Sequence, residues 1–150
     1  MSTTGLEVFD SSLQHTHIWL DEIMEELGPD RAFAWHVLGA VLHAIRDCLP
    51  VELNAHLAAQ LPLIVRGQFY DRWTPGAKAK PARSHEAFLQ QIQEEMKGGR
   101  TVGAADAVTA VFRVLSRHLS GGQVAKVREA LPGSIREAWS AAEQQIAAAN

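Results

Sequence analysis

Residues 34–69 reappear, without a gap, at 104–139. An offset of 70 aligns Ala34 with Ala104, Ala40 with Ala110, Val41 with Val111 and Leu49 with Leu119. The same offset aligns Ala55 with Ala125, Leu61 with Leu131, Pro62 with Pro132 and Arg66 with Arg136, which makes eight identities in 36 positions. Other apolar positions pair in kind: Leu38 with Val108, Leu42 with Phe112, Ile45 with Leu115, Leu57 with Val127 and Phe69 with Trp139. Self-similarity at a fixed period constrains architecture before any local reading. The expected fold is all-α, a bundle of two similar three-helix units with pseudo-twofold character and six to eight helices in all.

Local periodicity says the same. Thr16, Leu20, Ile23 and Leu27 form one helical stripe and predict a first helix over 11–27, capped by Asp10 or Ser11, with Phe9 as a staple residue. Gly28-Pro29 ends it. Ala34, Leu38, Val41, Leu42, Ile45 and Leu49 fall within an arc of about 100° on a second helix from about Asp30 to Cys48. Pro50 opens a third helix, where its missing amide costs nothing. Pro62 then removes an amide and disfavours α geometry at Leu61, so a break is expected, followed by a turn or two through Arg66.

Residues 67–83 read as a linker between repeat units at about 11–69 and 84–139, all within a single domain. Its aromatic first half is expected to pack down and its second half, Gly76 to Ala82, to be mobile. Ser84 caps the next helix. Phe88, Leu89, Ile92 and Met96 echo Trp19, Leu20, Ile23 and Leu27, and the turn Lys97-Gly98-Gly99-Arg100 stands where Gly28-Pro29 stands in the first unit. A helix from Gly103 to Leu119 follows. Ser120 and Gln123 have capping-box spacing, Pro132-Gly133 repeats the break, and Ser134 caps a last helix carrying Ile135, Trp139, Ala142 and Ile146.

Bulk properties exclude several classes. A chain of 150 residues with 47% hydrophobic content can bury a real core. A net charge of −3 argues against nucleic-acid binding, which favours a basic face. One cysteine, Cys48, rules out an internal disulfide framework and suits a reducing cytoplasm. The first ten residues lack the features of a signal peptide, and no apolar stretch approaches the roughly 20 residues that span a bilayer.

No motif dictates a chemistry. Seven histidines invite a metal, but no two lie three or four apart on one helix, and His36 and His43 are two turns apart. A lone cysteine cannot complete an ordinary structural zinc site. No phosphate-cradling loop and no Gly-x-Ser-x-Gly elbow occurs. Cys48 sits at a helix C-terminus, where the macrodipole disfavours a thiolate. Three histidine–acid pairs have helical spacing: His17 with Asp21, His43 with Asp47, and Glu52 with His56. His43, Asp47 and His36 share the face of the second helix opposite its apolar stripe, a face for solvent or for a second contact. The stretch from Arg66 to Trp73 concentrates arginines and aromatics, as a packed junction or as a cation-and-aromatic pocket. The candidate ligand-binding set is therefore His43, Asp47, His56, Arg66, Tyr70 and Trp73, with no catalytic residue, metal ligand or cofactor assigned.

Several elements together resemble a known family. They are Phe9-Asp10, Thr16-x-x-Trp19-Leu20, Leu38-x-x-Val41-Leu42-His43-x-Ile45-Arg46-Asp47-x-Leu49-Pro50, Ala58-Ala59-Gln60-Leu61-Pro62, Arg66-Gly67, Trp73-x-Pro75, and Leu131-Pro132 with Arg136-x-x-Trp139. In these the chain resembles the bacterial domain-of-unknown-function family 2267, over nearly its whole length. The resemblance implies a small helical cytoplasmic protein and supplies no activity. Cys48 departs from it, standing where a basic residue is expected. The favoured expectation is a non-enzymatic interaction or scaffold module that self-associates or docks a protein partner, without nucleic acid or membrane. The alternatives are a bundle binding a small ligand or metal, and an enzyme using a histidine–carboxylate pair.

Overall fold

Proline sets the joints of this fold. In the structure, a computed structural model describing residues 3–76, 81–97 and 102–149 with side chains to Gln145, eight helices follow one another. They are α1 (Glu7–Leu27), α2 (Arg31–Cys48), α3 (Val51–Ala59), α4 (Leu63–Tyr70), α5 (His85–Glu95), α6 (Ala104–His118), α7 (Gly121–Ala130) and α8 (Gly133–Ala149). No strand occurs among the described residues. Pro50 and Pro62 are the N-cap residues of α3 and α4, where a missing amide is harmless. No helix of the described residues is long and apolar enough to cross a membrane.

α2 is the axis of the molecule. Every residue from Val37 to Arg46 is buried, so the helix is enclosed on all sides rather than along one stripe. α6 packs beside it and buries Ala107, Val108, Val111, Phe112 and Leu115. Phe112 stacks on Trp139 of α8 at 4.4 Å between ring centres and on Phe88 of α5 at 6.2 Å. These rings bury large areas and align the three helices through their flat faces.

The helix pairings come in couples. α1 packs on α2 as α5 packs on α6, and α1 crosses to α6 as α5 crosses to α2. α2 with α4 has its counterpart in α6 with α8, and α1 with α4 in α5 with α8. α2 meets α6, and α3 meets α7, across the middle.

Several local expectations need correcting. α1 begins one turn early, at Glu7, because the Phe9 and Asp10 amides already donate to the Leu6 carbonyl at 3.1 Å. Asp10 therefore lies inside the helix, and its carboxylate reaches back to the Thr4 amide and hydroxyl. α4 runs on through Gly67 to Tyr70, past Arg66, since Phe69 seats a fully buried ring in the core. Ser134 lies within the first turn of α8, and its hydroxyl accepts the His85 amide at 2.9 Å. Ser84 and Ser120 do cap, accepting from Ala87 and Gln123. Residues 77–80 of the interhelical segment, Gly98 to Arg100 of the predicted turn, and the Ile146 side chain lie outside the described residues.

Candidate functional site

A cleft of about 690 Å³ opens where α2, the end of α4 and the end of α5 converge. Trp35, His36, Gly39 and His43 line it from α2, Gly67 and Gln68 from α4, and Glu95 from α5. Asp71 and Arg72 form its rim. The α2 residues recur at helical spacing, so the polar face of the enclosed helix becomes the floor.

His43 is buried and bridges two elements. Its Nδ1 lies 2.9 Å from a Glu95 carboxylate oxygen, and its Nε2 lies 2.7 Å from the Gln68 carbonyl. Both partners are acceptors, and the two contacts hold the ring between α5 and α4. Burial pushes the Glu95 carboxyl up, but the hydrogen bond and charge of His43, joined by Arg72 and His36, hold it below the ordinary carboxylate value. His36 bonds the Glu95 main-chain carbonyl at 2.6 Å and so fastens the last turn of α5 to α2.

Gly39 explains how Gln68 fits. A Cβ at this position would lie 2.2 Å from the Gln68 amide nitrogen. Without it, Gln68 lies across the helix and donates to the Trp35 carbonyl at 2.9 Å. That acceptor fixes the orientation of the amide, and Gln68 Oε1 is left buried with no donor.

Arg46, also buried, ties off the end of α4. It donates to the Phe69 and Asp71 carbonyls at 2.9 and 3.0 Å and pairs with Asp47 at 3.2 Å. Asp47 in turn accepts from Gln91 of α5 at 3.0 Å. Arg72 follows with φ +57, a left-handed conformation that turns the chain away from the helix.

The structure brings only part of the predicted set together. His43 lies in the cleft. Asp47 and Trp73 lie in an adjoining hollow of about 330 Å³ with Arg46 and Arg72. Tyr70 is exposed, stacked on Trp73 at 5.5 Å. His56 stands exposed on α3. Arg66 caps α3, donating to the Ala58, Ala59 and Leu61 carbonyls. His43 and Asp47 do not bond each other, because each finds a partner on α5. No bond joins Glu52 to His56, and Asp21 pairs with Arg31 rather than His17. No metal-holding group of histidine, cysteine or carboxylates forms among the described residues.

Sequence reasoning missed Gly39 and Glu95, and it left Gln68 and Arg72 out of the candidate set although both lie in the stretch singled out from Arg66 to Trp73. Gly39 left a signal, since an isolated glycine inside a helix costs about 1 kcal/mol and asks for a reason. Glu95 left a fainter one. The α5–α2 bonds His43–Glu95 and Asp47–Gln91 have counterparts between α6 and α1, in Arg113–Glu26 and Arg117–Glu22.

A second surface lies at the start of α1. Thr16, Leu20 and Ile23 are buried, and the same face continues through Leu13, Phe9 and Leu6, which are exposed. Phe9 is 51% exposed and Ile23 0%. On a neighbouring face of α1, Glu7, Val8 and His15 line a groove of about 630 Å³ with Arg66 and the exposed Leu63.

The family model described as an uncharacterized conserved protein, DUF2267, matches residues 16–138, and the chain belongs to that family. Comparison with curated proteins finds no match.

Proposed function

We propose that this DUF2267 member is a non-enzymatic interaction module that self-associates through the start of α1. The reading rests on one observation: the apolar stripe that α1 buries at Thr16, Leu20 and Ile23 runs on, bare, through Leu13, Phe9 and Leu6. An amphipathic helix leaves such a face uncovered at the expense of water contact unless something packs on it. A second copy carries the same bare stripe, and an isologous pair covers both stripes with one contact.

The enzyme alternative is weakened by the histidine it would need. A general base must reach a substrate proton, and both His43 ring nitrogens are already engaged, at the Glu95 carboxylate and the Gln68 carbonyl.

Sedimentation equilibrium tests the proposal. The protein is expected to dimerise in the micromolar range, and Phe9→Asp, an exposed change, to stay monomeric with an unaltered urea midpoint. A wild-type protein that remains monomeric up to about 1 mM ends the proposal.

We infer also that the two halves, about 11–69 and 84–139 joined by 67–83, descend from one unit. The coupled helix pairings and the paired α2–α5 and α6–α1 bonds support this. Matched substitutions in the two halves should then have matched effects on stability.

A further inference from the structure

The last turn of α2 carries a donor that the fold does not use. Arg46 is 7% exposed and spends most of its guanidinium on the chain itself. Its Nε donates to Asp47, and its Nη1 to the Phe69 and Asp71 carbonyls. Among the described residues Nη2 meets no acceptor, so a nearly buried cation has N–H groups to spare. This nitrogen is not sealed in the core, and Arg46 opens on the hollow of about 330 Å³.

Arg46 does not face the hollow as a free charge. Asp47 also lines it, with one carboxylate oxygen on Arg46 Nε and the other on the Gln91 amide. Arg72, which lines it too, is exposed and pairs with Asp71. Charges balanced in this way select neither an anion nor a cation. Arg46 and Asp47 still present spare donors beside a carboxylate with lone pairs in reserve. Leu49, Val51 and Trp73 give the hollow apolar walls.

A fitting ligand is neutral, has apolar faces, and carries an acceptor beside a donor on one edge. A sugar, hydroxylated around its whole rim, would press hydroxyls against the apolar walls. The geometry points to this hollow as a binding site for a neutral planar heterocycle with a ring N–H next to a carbonyl, as in pyrimidine and purine bases. The carbonyl accepts from Arg46 Nη2, the N–H donates to Asp47, and the ring lies against Trp73. The volume is at the small end for ligand pockets, as one such ring requires. The hollow shares no lining residue with the stripe and groove at the start of α1, the overhang on which self-association rests, so this reading goes beyond it.

Titration of the intact protein with uridine and with N3-methyluridine, followed by NMR, tests the site. Uridine is expected to shift the Asp47 amide and the Trp73 indole resonances saturably. N3-methyluridine keeps both carbonyls but lacks the N–H, and should bind about tenfold more weakly. Asp47→Ala should bind the two ligands equally, which a loss of packing alone would not produce. Trp73→Ala should weaken both about tenfold. The absence of saturable shifts up to about 10 mM uridine overturns the inference. So does equal binding of the two ligands by the unsubstituted protein, or discrimination that survives Asp47→Ala.

Discussion

Arg66 and Arg136, seventy residues apart, make the same three hydrogen bonds. Arg66 donates to the carbonyls of Ala58, Ala59 and Leu61, and Arg136 to those of Arg128, Glu129 and Leu131. Each guanidinium rises from the first turn of one helix and closes the open carbonyls at the end of the helix before. The proline at each break, Pro62 or Pro132, ends the preceding run, and the arginine satisfies what the break leaves open. Arginine suits this because its fork of donors reaches several acceptors at once.

Arg66→Ala and Arg136→Ala should therefore destabilise to a similar degree, by about 1–3 kcal/mol each. The two share no partners, so the double variant should show their sum. Lysine at either position should recover only part of the loss. Urea unfolding of the four proteins measures this, and a large effect at one site with none at the other contradicts equivalence.

What the sequence made legible was punctuation and periodicity. The Gly28-Pro29 turn and the breaks at Pro50, Pro62 and Pro132 act through local sterics, so each could be read in place. The inward faces of α2 and α6 followed from spacing alone. The cleft was not legible in this way. His43 meets Glu95 across 52 residues of chain and Gln68 across 25, and periodicity says which face is polar without saying what covers it. The overhang misled for a related reason. Phe9 reads as a staple residue before a cap, but α1 had already begun, which left the ring on an uncovered face.

Gly39→Ala isolates the fit of Gln68. A methyl there collides with the Gln68 amide, so the substitution should cost about 1–3 kcal/mol despite the better helix propensity of alanine. In a Gln68→Ala background the collision is gone, and the same change should stabilise by up to about 1 kcal/mol. A double-mutant cycle by denaturant unfolding reads the change of sign. An unfavourable Gly39→Ala in both backgrounds would place the constraint in the backbone instead.

The His43–Glu95 bridge predicts an acid-side loss of stability. A carboxyl held below its ordinary value of 4.5 stabilises the fold above that value, and the stabilisation disappears as pH falls through the depressed folded value. Glu95→Gln removes that dependence. The wild-type urea midpoint should exceed that of the variant at about pH 6 and approach it near pH 3. Parallel profiles at all pH values would show that the bridge does not titrate with folding.

Cys48 should be a slow thiol. Burial first, and the neighbouring Asp47 carboxylate second, push its pKa up from 9.0 to about 11, with a 3.5 Å contact to the Ala82 carbonyl opposing them only in part. Only the thiolate attacks an alkylating or disulfide reagent, so at about pH 8 the folded protein should react about 100-fold more slowly than a free cysteine peptide. Asp47→Asn removes the like charge and should speed the reaction, while leaving it slower than the free peptide because burial is the larger cause. The same shift has a stability consequence of opposite sense to that of Glu95: the unfolded thiol ionises from about pH 9 while the folded one does not, so stability falls as pH rises through 9 toward 11. Cys48→Ser should flatten that alkaline limb, and a reagent rate equal to that of the free peptide at pH 8 would mean that the thiol is open to solvent.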